Sequence, residues 1–383
     1  MTRLTDAWIT RPEIQAVCAA LTARGNRALF VGGCVRNSLL GEPVNDIDLA
    51  TDATPETVVE LAEAAGLKAV PTGIEHGTIT VVSSGEPHEV TTFRRDVETF
   101  GRHAVIAYTG DIAEDAMRRD FTMNALYAEP DGLVIDPLGG LPDLKARKIR
   151  FIEDARARIE EDYLRILRFF RFHAWYGDPM GGLDAEGLAA CAELAEGLDS
   201  LSRERVGAEM RKLLSAPDPA PSVASMVAAG CLLRVLPGAD ARALPILVGL
   251  EAAAGVAPGA VRRLAALGGT DVAENLRLSK ANARDLGRIR EAALGTAGAA
   301  ELAYRHGVDL AHDAILVRSA LLECPVPPSL GADLDAGARA VFPVKSADLS
   351  GEIQGRALGE KLRMLEAQWI ASGFALSKES LIG

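Results

Sequence analysis

A short apolar run, Ala28 to Val31, stops at two adjacent glycines, and a helical pattern from Val35 to Leu40 follows at once, closed by Gly41. Few folds place a strand, a Gly-Gly turn and a helix in so little chain. The arrangement leaves backbone N–H groups unpaired at the helix start, where the helix dipole is positive. Gly32 and Gly33 carry no Cβ, so a bulky anion can approach the backbone. Arg36, one turn into the helix, can reach the same anion. The stretch reads as a phosphate site built into a small α/β unit. Cys34, inside the turn, reads as a small packing residue, because no histidine neighbours it in sequence.

The next segment, Asn45 to Thr51, supplies acids. A second strand is expected over Asp46 to Ala50, which puts Asp46 and Asp48 on one face with Cα atoms roughly 7 Å apart. Two carboxylates so placed repel each other unless a cation lies between them. The pair suits Mg²⁺, a hard ion that takes oxygen ligands and completes its shell with water and substrate phosphates. Taken alone, Asp-x-Asp is more often a solvated strand end or turn. Joined to the glycine turn, it marks Asp46 and Asp48 as candidate metal ligands and catalytic residues. Glu89, alternating with Val90 on a later strand, either adds a third carboxylate to that face or faces solvent on an edge.

Other elements of a small mixed sheet with helices can be read nearby. Arg11 to Arg24 has an amphipathic helical pattern. Thr54 caps a helix that has Pro55 at its first position and ends at Gly66. Gly77 to Val82 and His88 to Arg94 read as strands around the turn-rich Ser83 to Pro87. From Arg94 to Gly110 apolar periodicity is lost, which predicts a polar loop. Ala116 to Ala128 has helical spacing, with Phe121, Ala125 and Leu126 towards one face. Its Arg118-Arg119-Asp120 run, read alone, is a salt-bridged helix start.

A further helix is expected over Glu160 to Phe172. Tyr163, Ile166, Leu167 and Phe170 cluster on one side and Leu164, Phe169 and Phe172 on the other, so it is apolar nearly all round and expected to be buried. Asp162, Arg165, Arg168 and Arg171 recur every three residues and wind around it as a spiral ridge. Buried guanidiniums are costly unless paired or facing a polar cleft. Arg offers a planar donor fork and Asp offers acceptors, so Asp162 and Arg165 together can read a base edge. Cytosine and adenine both present an amino donor beside a ring acceptor; the edges of guanine and uracil have different donor patterns. A solitary Asp-x-x-Arg is better read as an i,i+3 salt bridge. Repetition on a dry helix favours the cleft.

With 383 residues the chain has room for two or three domains. It has no run of eighteen apolar residues, so no membrane partner is expected. Five cysteines without metal-ligand spacing suit reduced thiols in a cytoplasm, and Met1 to Gly25 lacks a signal-peptide core. The net charge of −12 argues against nucleic acid. Lys145, Arg147, Lys148, Arg150, Arg156, Arg158 and the three ridge arginines nevertheless crowd one stretch where RNA phosphates could be held. Ser215 to Pro221 reads as a linker, and residues 222 to 383 as all-helical. His312-Asp313 has the core of a metal-phosphohydrolase signature but no spaced partners, and reads as an ordinary helix pair.

Gly32-Gly33-x-Val35-Arg36 with Asp46-x-Asp48, Arg118-Arg119-Asp120-Phe121-Thr122-Met123-Asn124-Ala125, Asp136-Pro137 before Gly140, and Glu161-Asp162-x-x-Arg165-x-x-Arg168 occur in an order that resembles the class II branch of the polymerase β-like nucleotidyltransferases, the bacterial CCA-adding enzymes and poly(A) polymerases. The resemblance implies an α/β nucleotidyltransferase head over residues 1–150, a helical neck with a nucleotide-selecting motif over 151–215, and a helical, RNA-binding body and tail over 216–383. It implies Mg²⁺ at Asp46 and Asp48, and CTP and ATP bound by Gly32, Gly33, Arg36, Arg119, Asp162, Arg165, Arg168 and Arg171. Asp120 and Asn124 would brace the site, the Asp136 turn would be structural, and the polar loop would be mobile. The segment from Leu358 through Trp369 to Phe374 looks like the family's closing helix. The implied activity is template-independent addition of C and A to the 3′ end of tRNA. Rival readings are a poly(A) polymerase, an enzyme adding only CC or only A, a non-catalytic RNA- or nucleotide-binding module, and a phosphohydrolase using His312 and Asp313. One departure stands out: Asn37 follows Arg36 where the family has Asp.

Overall fold

The computed structural model describes residues 2–100, 103–349 and 353–383. The chain divides into two compact units, Met1–Pro237 and Gly238–Gly383. The division falls after Pro237 and not at the expected linker. Ser215 to Pro221 lies inside the first unit, with Ala216 and Ala220 buried.

The first unit begins with helix α1 (Pro12–Thr22), which opens on a proline and buries Ile14, Val17, Cys18 and Leu21. Strand β1 (Leu29–Val31) runs into helix α2 (Gly33–Leu40), and β2 (Leu49–Thr51) leads to α3 (Pro55–Ala64). The cap of α3 is Thr54, whose side chain accepts from the Thr57 N–H. Strands β3 (Lys68–Gly73), β4 (Thr78–Ser83) and β5 (Glu86–Thr92) come next, followed by a separate hairpin of β6 (Arg94–Phe100) and β7 (His103–Tyr108). Helix α4 (Ile112–Met117) precedes two short strands, β8 (Tyr127–Ala128) and β9 (Val134–Ile135). The main sheet has the order β3-β4-β5-β2-β1-β8-β9. Its β2–β5 pair is parallel and the other pairs are antiparallel, a mixed sheet as expected.

One register matters for the site. β1 and β2 pair Leu29 with Ala50 and Phe30 with Leu49, and the Val31 N–H donates to the Asp48 carbonyl at 3.0 Å. The end of β1, where the chain turns at Gly32, therefore lies beside Asp48. The expected strand over Asp46 to Ala50 is corrected by the same fact. β1 ends where the chain turns at Gly32, so the residues before Asp48 have no partner on the β1 side, and Asp46, Ile47 and Asp48 form a lead-in to a three-residue strand.

Two other expectations are corrected. The polar loop over 94–110 is largely the β6–β7 hairpin, with Arg94 opposite Tyr108 and Arg95 opposite Ala107; Gly101 and Arg102 lie outside the described residues. The helix over Ala116 to Ala128 stops at Met117. Beyond it Phe121 bridges to Phe151, a single 3-10 turn covers Thr122–Asn124, and the chain enters β8. Residues Phe121 to Ala128 are buried without exception, so the spacing that suggested one helical face belongs to a segment covered on all sides.

Helices α5 (Leu141–Lys145), α6 (Ala155–Glu161), α7 (Leu164–Tyr176), α8 (Ala185–Glu193) and α9 (Arg203–Leu214) continue the unit. The expectation of a dry arginine helix holds for α7: Ile166, Leu167, Phe169, Phe170 and Phe172 are buried. Phe121, Phe151, Phe169 and Phe172 form one aromatic cluster, with centroids 4.9 to 6.3 Å apart, that fastens α7 to the segment after α4. Gly187 of α8 sits against the Phe169 ring, where a Cβ would come within 2.9 Å.

The second unit is helical throughout its described residues apart from one isolated bridge. Its interior contains charge. Glu251 is 2% exposed and accepts from Arg262 at 2.7 Å and from Arg263 at 2.7 and 2.9 Å; Arg262 also donates to Asp313 at 2.5 Å. Asp313 of the His312-Asp313 pair thus serves an internal ion cluster. The closing helix forms over Arg356–Ala371, and Trp369 packs against Tyr304, Phe342 and Phe374.

Candidate functional site

The glycine turn has the conformation its composition predicts. Gly32 adopts φ +71°, a region that disfavours side chains, and caps α2 without a side-chain bond. A Cβ there would lie 3.5 Å from Arg119 Nη1, an ordinary contact, so the positive φ and not crowding is what favours glycine. Gly32 and Gly33 open on a cavity of about 440 Å³. Around it stand Arg36, Arg118, Arg119, Arg165, Arg168, Arg171 and Arg205, against only three carboxylates, Asp48, Asp120 and Asp162. Such a cavity favours a polyanion.

Arg36 is 7% exposed. It donates to Asn124 Oδ1 at 2.5 Å, to Asn37 Oδ1 at 2.8 and 3.1 Å, and to the Tyr176 hydroxyl at 2.9 Å. Its guanidinium lies 4.0 Å from the Tyr176 ring centroid and 5.1 Å from that of Phe172. Among the described residues no carboxylate reaches it at ion-pair distance. Asn37 at the departing position contributes here, since it accepts the hydrogen bonds but supplies no charge. Burial lowers the Arg36 pKa, as expected of a desolvated cation.

Asp48 lies on the wall between this cavity and a neighbouring one of about 530 Å³, which Asn45, Asp46 and Glu89 also line. Loss of solvent raises its carboxyl above the usual range; Glu89 and Asp46 add to the shift and Arg119 opposes it. The two acids therefore feel each other, and Glu89 belongs to the same field. Among the described residues no group of three or more His, Cys, Asp or Glu is gathered for a metal ion. The donor set still fits a hard divalent cation: carboxylate oxygens whose mutual repulsion the cation would relieve, with positions left for water and phosphate.

The segment after α4 is a network of charged bonds. Asp120 accepts from the Phe121 N–H and the Asn124 side chain, both at 2.9 Å, and from Arg168 Nε at 2.7 Å. Burial would raise its carboxyl, but Arg168 and the Asn124 bond overcome that and hold it at about 2. Arg119 donates to Tyr127 and Asp115. Asp136 takes the N–H groups of Gly140 and Leu141 at 2.7 and 2.9 Å, which makes its turn self-contained.

The ridge arginines face the cavity, and each is matched by an acid from elsewhere. Arg165 meets Glu161 and donates to the carbonyls of Arg158 and Arg118; Arg168 meets Asp120; Arg171 meets Glu209 of α9 at 2.5 Å. Asp162 is not on the helix. It ends α6, and its Oδ1 accepts from the Leu164 N–H at the start of α7. Its other oxygen accepts from Arg205 at 2.6 Å, so the expected Asp162–Arg165 neighbour pair is replaced by Asp162–Arg205 and Arg165–Glu161.

The structure thus gathers Gly32, Gly33, Arg36, Asp48, Arg119, Asp162, Arg165, Arg168 and Arg171 around one cavity and places Asp46 in the adjoining one. Sequence reasoning missed Arg205, Glu209, Asp115, Tyr127 and Tyr176. Asp115 carried a readable signal, lying three and four residues before Arg118 and Arg119. The others reach the site from distant elements, and nothing local announces them.

A glycine-turn helix, acids beside it and an arginine-rich cavity define a nucleotidyltransferase-type head. Residues 28–150 match the family described as Poly A polymerase head domain, and residues 183–242 that described as Probable RNA and SrmB- binding site of polymerase A. Over residues 28–150 the chain carries a poly(A) polymerase-type head, and over about half its length it is similar to CCA-adding enzymes. It is 45% identical over 197 residues to the mitochondrial CCA tRNA nucleotidyltransferase 1 of Mus musculus, covering 51% of this chain and 45% of the relative. It is 37% identical over 228 residues to the CCA-adding enzyme of Leuconostoc citreum, covering 59% and 55%. The chain spans about half the length of the curated relatives it matches. The structure of the Bacillus stearothermophilus CCA-adding enzyme in complex with CTP superposes with a TM-score of 0.71 at 27% identity, over 95% of this chain and 94% of that one.

Proposed function

We propose that this chain is a metal-dependent nucleotidyltransferase that adds C and A, without a nucleic-acid template, to the 3′ end of tRNA from CTP and ATP. The observation that carries the reading is Arg36: a buried cation with only neutral partners, opening on the glycine turn. An unpaired buried charge costs several kcal/mol unless a counterion arrives. A triphosphate is a counterion that also suits the N–H of Gly33 at the helix start and the fork of Arg119. Likeness to proteins named CCA-adding enzymes supports the choice of substrates.

In the reaction the RNA 3′-hydroxyl attacks the α-phosphorus. A new phosphodiester bond forms, the α–β bridge breaks, pyrophosphate leaves and the hydroxyl proton goes to solvent or an acceptor. Asp46 and Asp48 would hold Mg²⁺, which when bound supplies Lewis acidity at the phosphates and hydroxyl. Arg36, Arg119 and the glycine turn orient the triphosphate. Asp162 and Arg165 select the base, and for this the Asp162–Arg205 and Arg165–Glu161 pairs must open, exchanging an internal ion pair for a base edge. Arg168 and Arg171 support that edge from the same ridge. Residues 1–150 act as head, 151–215 as neck, and 216–383 as a body and tail that dock the RNA by backbone shape. Five unpaired thiols, four of them buried, are consistent with the reducing conditions of a cytoplasm.

The test uses tRNA lacking its last three nucleotides. CTP and ATP together should extend it by three, and oligo(A) tails would instead establish a polymerase. Asp48→Ala should slow addition on the order of 10³-fold while tRNA binding persists; unchanged turnover would remove the metal assignment. Arg165→Ala should erode discrimination between C or A and G or U about tenfold or more. Preserved base choice after that substitution would end the selection role.

A further inference from the structure

We propose that Asp115, a residue outside the motifs above, positions Arg119 for the triphosphate and joins that placement to the root of the β6–β7 hairpin. The inference rests on the nucleotide-binding reading. Asp115 is 1% exposed, and both of its oxygens are occupied. Oδ1 accepts from Arg118 Nε at 2.9 Å and from the Arg94 backbone N–H, the first residue of β6, at 3.3 Å. Oδ2 accepts from Arg119 Nη2 at 3.1 Å and from the Tyr127 hydroxyl at 2.6 Å. Tyr127 in turn accepts from Arg119 Nε at 3.1 Å, and its ring lies beneath the guanidinium at 5.3 Å.

Two of the three guanidinium nitrogens of Arg119 are therefore fixed from behind, Nη2 by Asp115 and Nε by Tyr127. A planar fork held at two points has its third nitrogen aimed. That nitrogen, Nη1, has no hydrogen-bond partner among the described residues and lies 3.5 Å from where a Cβ of Gly32 would be. Tyr127 pairs with Val31, the residue before the turn, so the clamp and the turn share one piece of sheet. Because Asp115 also holds the first N–H of β6, displacing the hairpin root must redistribute the bonds on the carboxylate that aims Arg119.

Asp115→Asn keeps the shape and removes the charge; Tyr127→Phe keeps the ring and removes the hydroxyl. Titration calorimetry of CTP and ATP without RNA should show Kd about tenfold or more higher for Asp115→Asn, and a few-fold higher for Tyr127→Phe. The double variant should lose less than the product of the two, since both act through one guanidinium. In steady state KM should rise with kcat little changed, because the contact is made in ground and transition states alike. The ¹⁵N resonance of Arg119 Nε–H should broaden or shift, and the Arg94 amide should exchange faster in Asp115→Asn. A melting temperature that falls while Kd and the Arg119 signal stay put would overturn the inference, leaving Asp115 as packing. Should Asp115→Asn fail to fold, Tyr127→Phe is read by the same measurements, and an unchanged Kd with an unmoved Arg119 signal overturns the inference there too. If the wild type binds neither nucleotide, the functional reading fails, while an unmoved Arg119 Nε–H signal would separately overturn the clamp.

Discussion

Buried arginines occur in both units and meet opposite fates. In the second unit Arg262 and Arg263, 5% and 1% exposed, close on Glu251, and Arg262 reaches Asp313 as well. Cation and anion come from different helices of that unit, Ala260–Leu267 against Ala243–Ala253 and Val308–Leu321, and close on each other. In the first unit Arg36 is equally buried yet meets amide oxygens, a phenol and two aromatic rings. A guanidinium matched by an acid of the fold ties helices together. One left with neutral partners, facing a cavity, is kept for a charge that comes from outside.

This contrast can be broken, and the largest effect is expected in the second unit. Glu251→Ala should destabilise it by roughly 3–5 kcal/mol, because two buried cations lose their partner. Denaturant unfolding would measure the loss, and nucleotide affinity should not change. If the melt is unaffected, the cluster is not what holds those helices. Arg36→Ala should do the reverse: triphosphate affinity should fall on the order of a hundredfold, about 2–3 kcal/mol, with stability equal or higher. A large loss of stability with intact affinity would make Arg36 a structural residue like Arg263.

The smallest effect separates matched from unmatched groups within the head itself. Asp120 titrates near 2 in the folded chain, below its ordinary 3.8, through Arg168 and Asn124 against the cost of burial. Its contribution is therefore complete above about pH 4 and disappears as pH falls towards 2, amounting to about 2 kcal/mol. Acid unfolding of Asp120→Asn should show a correspondingly flatter limb between those values. An identical limb would mean that other carboxylates govern acid stability.

What could be read from the sequence was what depends on neighbours in the chain. Gly32, Gly33 and Arg36 were legible because a turn and the first helical turn are local, and the dry ridge of α7 because helical phase is local too. Strand lengths were not. The ladder at Asp46 to Asp48 ends where a different segment, β1, turns away, and β3 shows no apolar alternation because its burial pattern has none. The helix over 116–128 failed because a segment buried all round mimics any period. Asp162 was found but given the wrong partner, since Arg205 lies 43 residues away, just as Glu209 lies 38 from Arg171. Ion pairs of that span are set by packing, which sequence spacing does not encode.

The rings of Phe121, Phe151, Phe169 and Phe172 hold the ridge helix to the segment after α4 by apolar contact, beside the Arg168–Asp120 ion pair. Concentrated salt weakens attraction between ions but slightly strengthens contact between hydrocarbons. Raising ionic strength should therefore loosen any polyanion in the cavity while the scaffold around it keeps its dimensions, so that washing a ligand out with brine leaves behind a mould of the empty site and not a collapsed one.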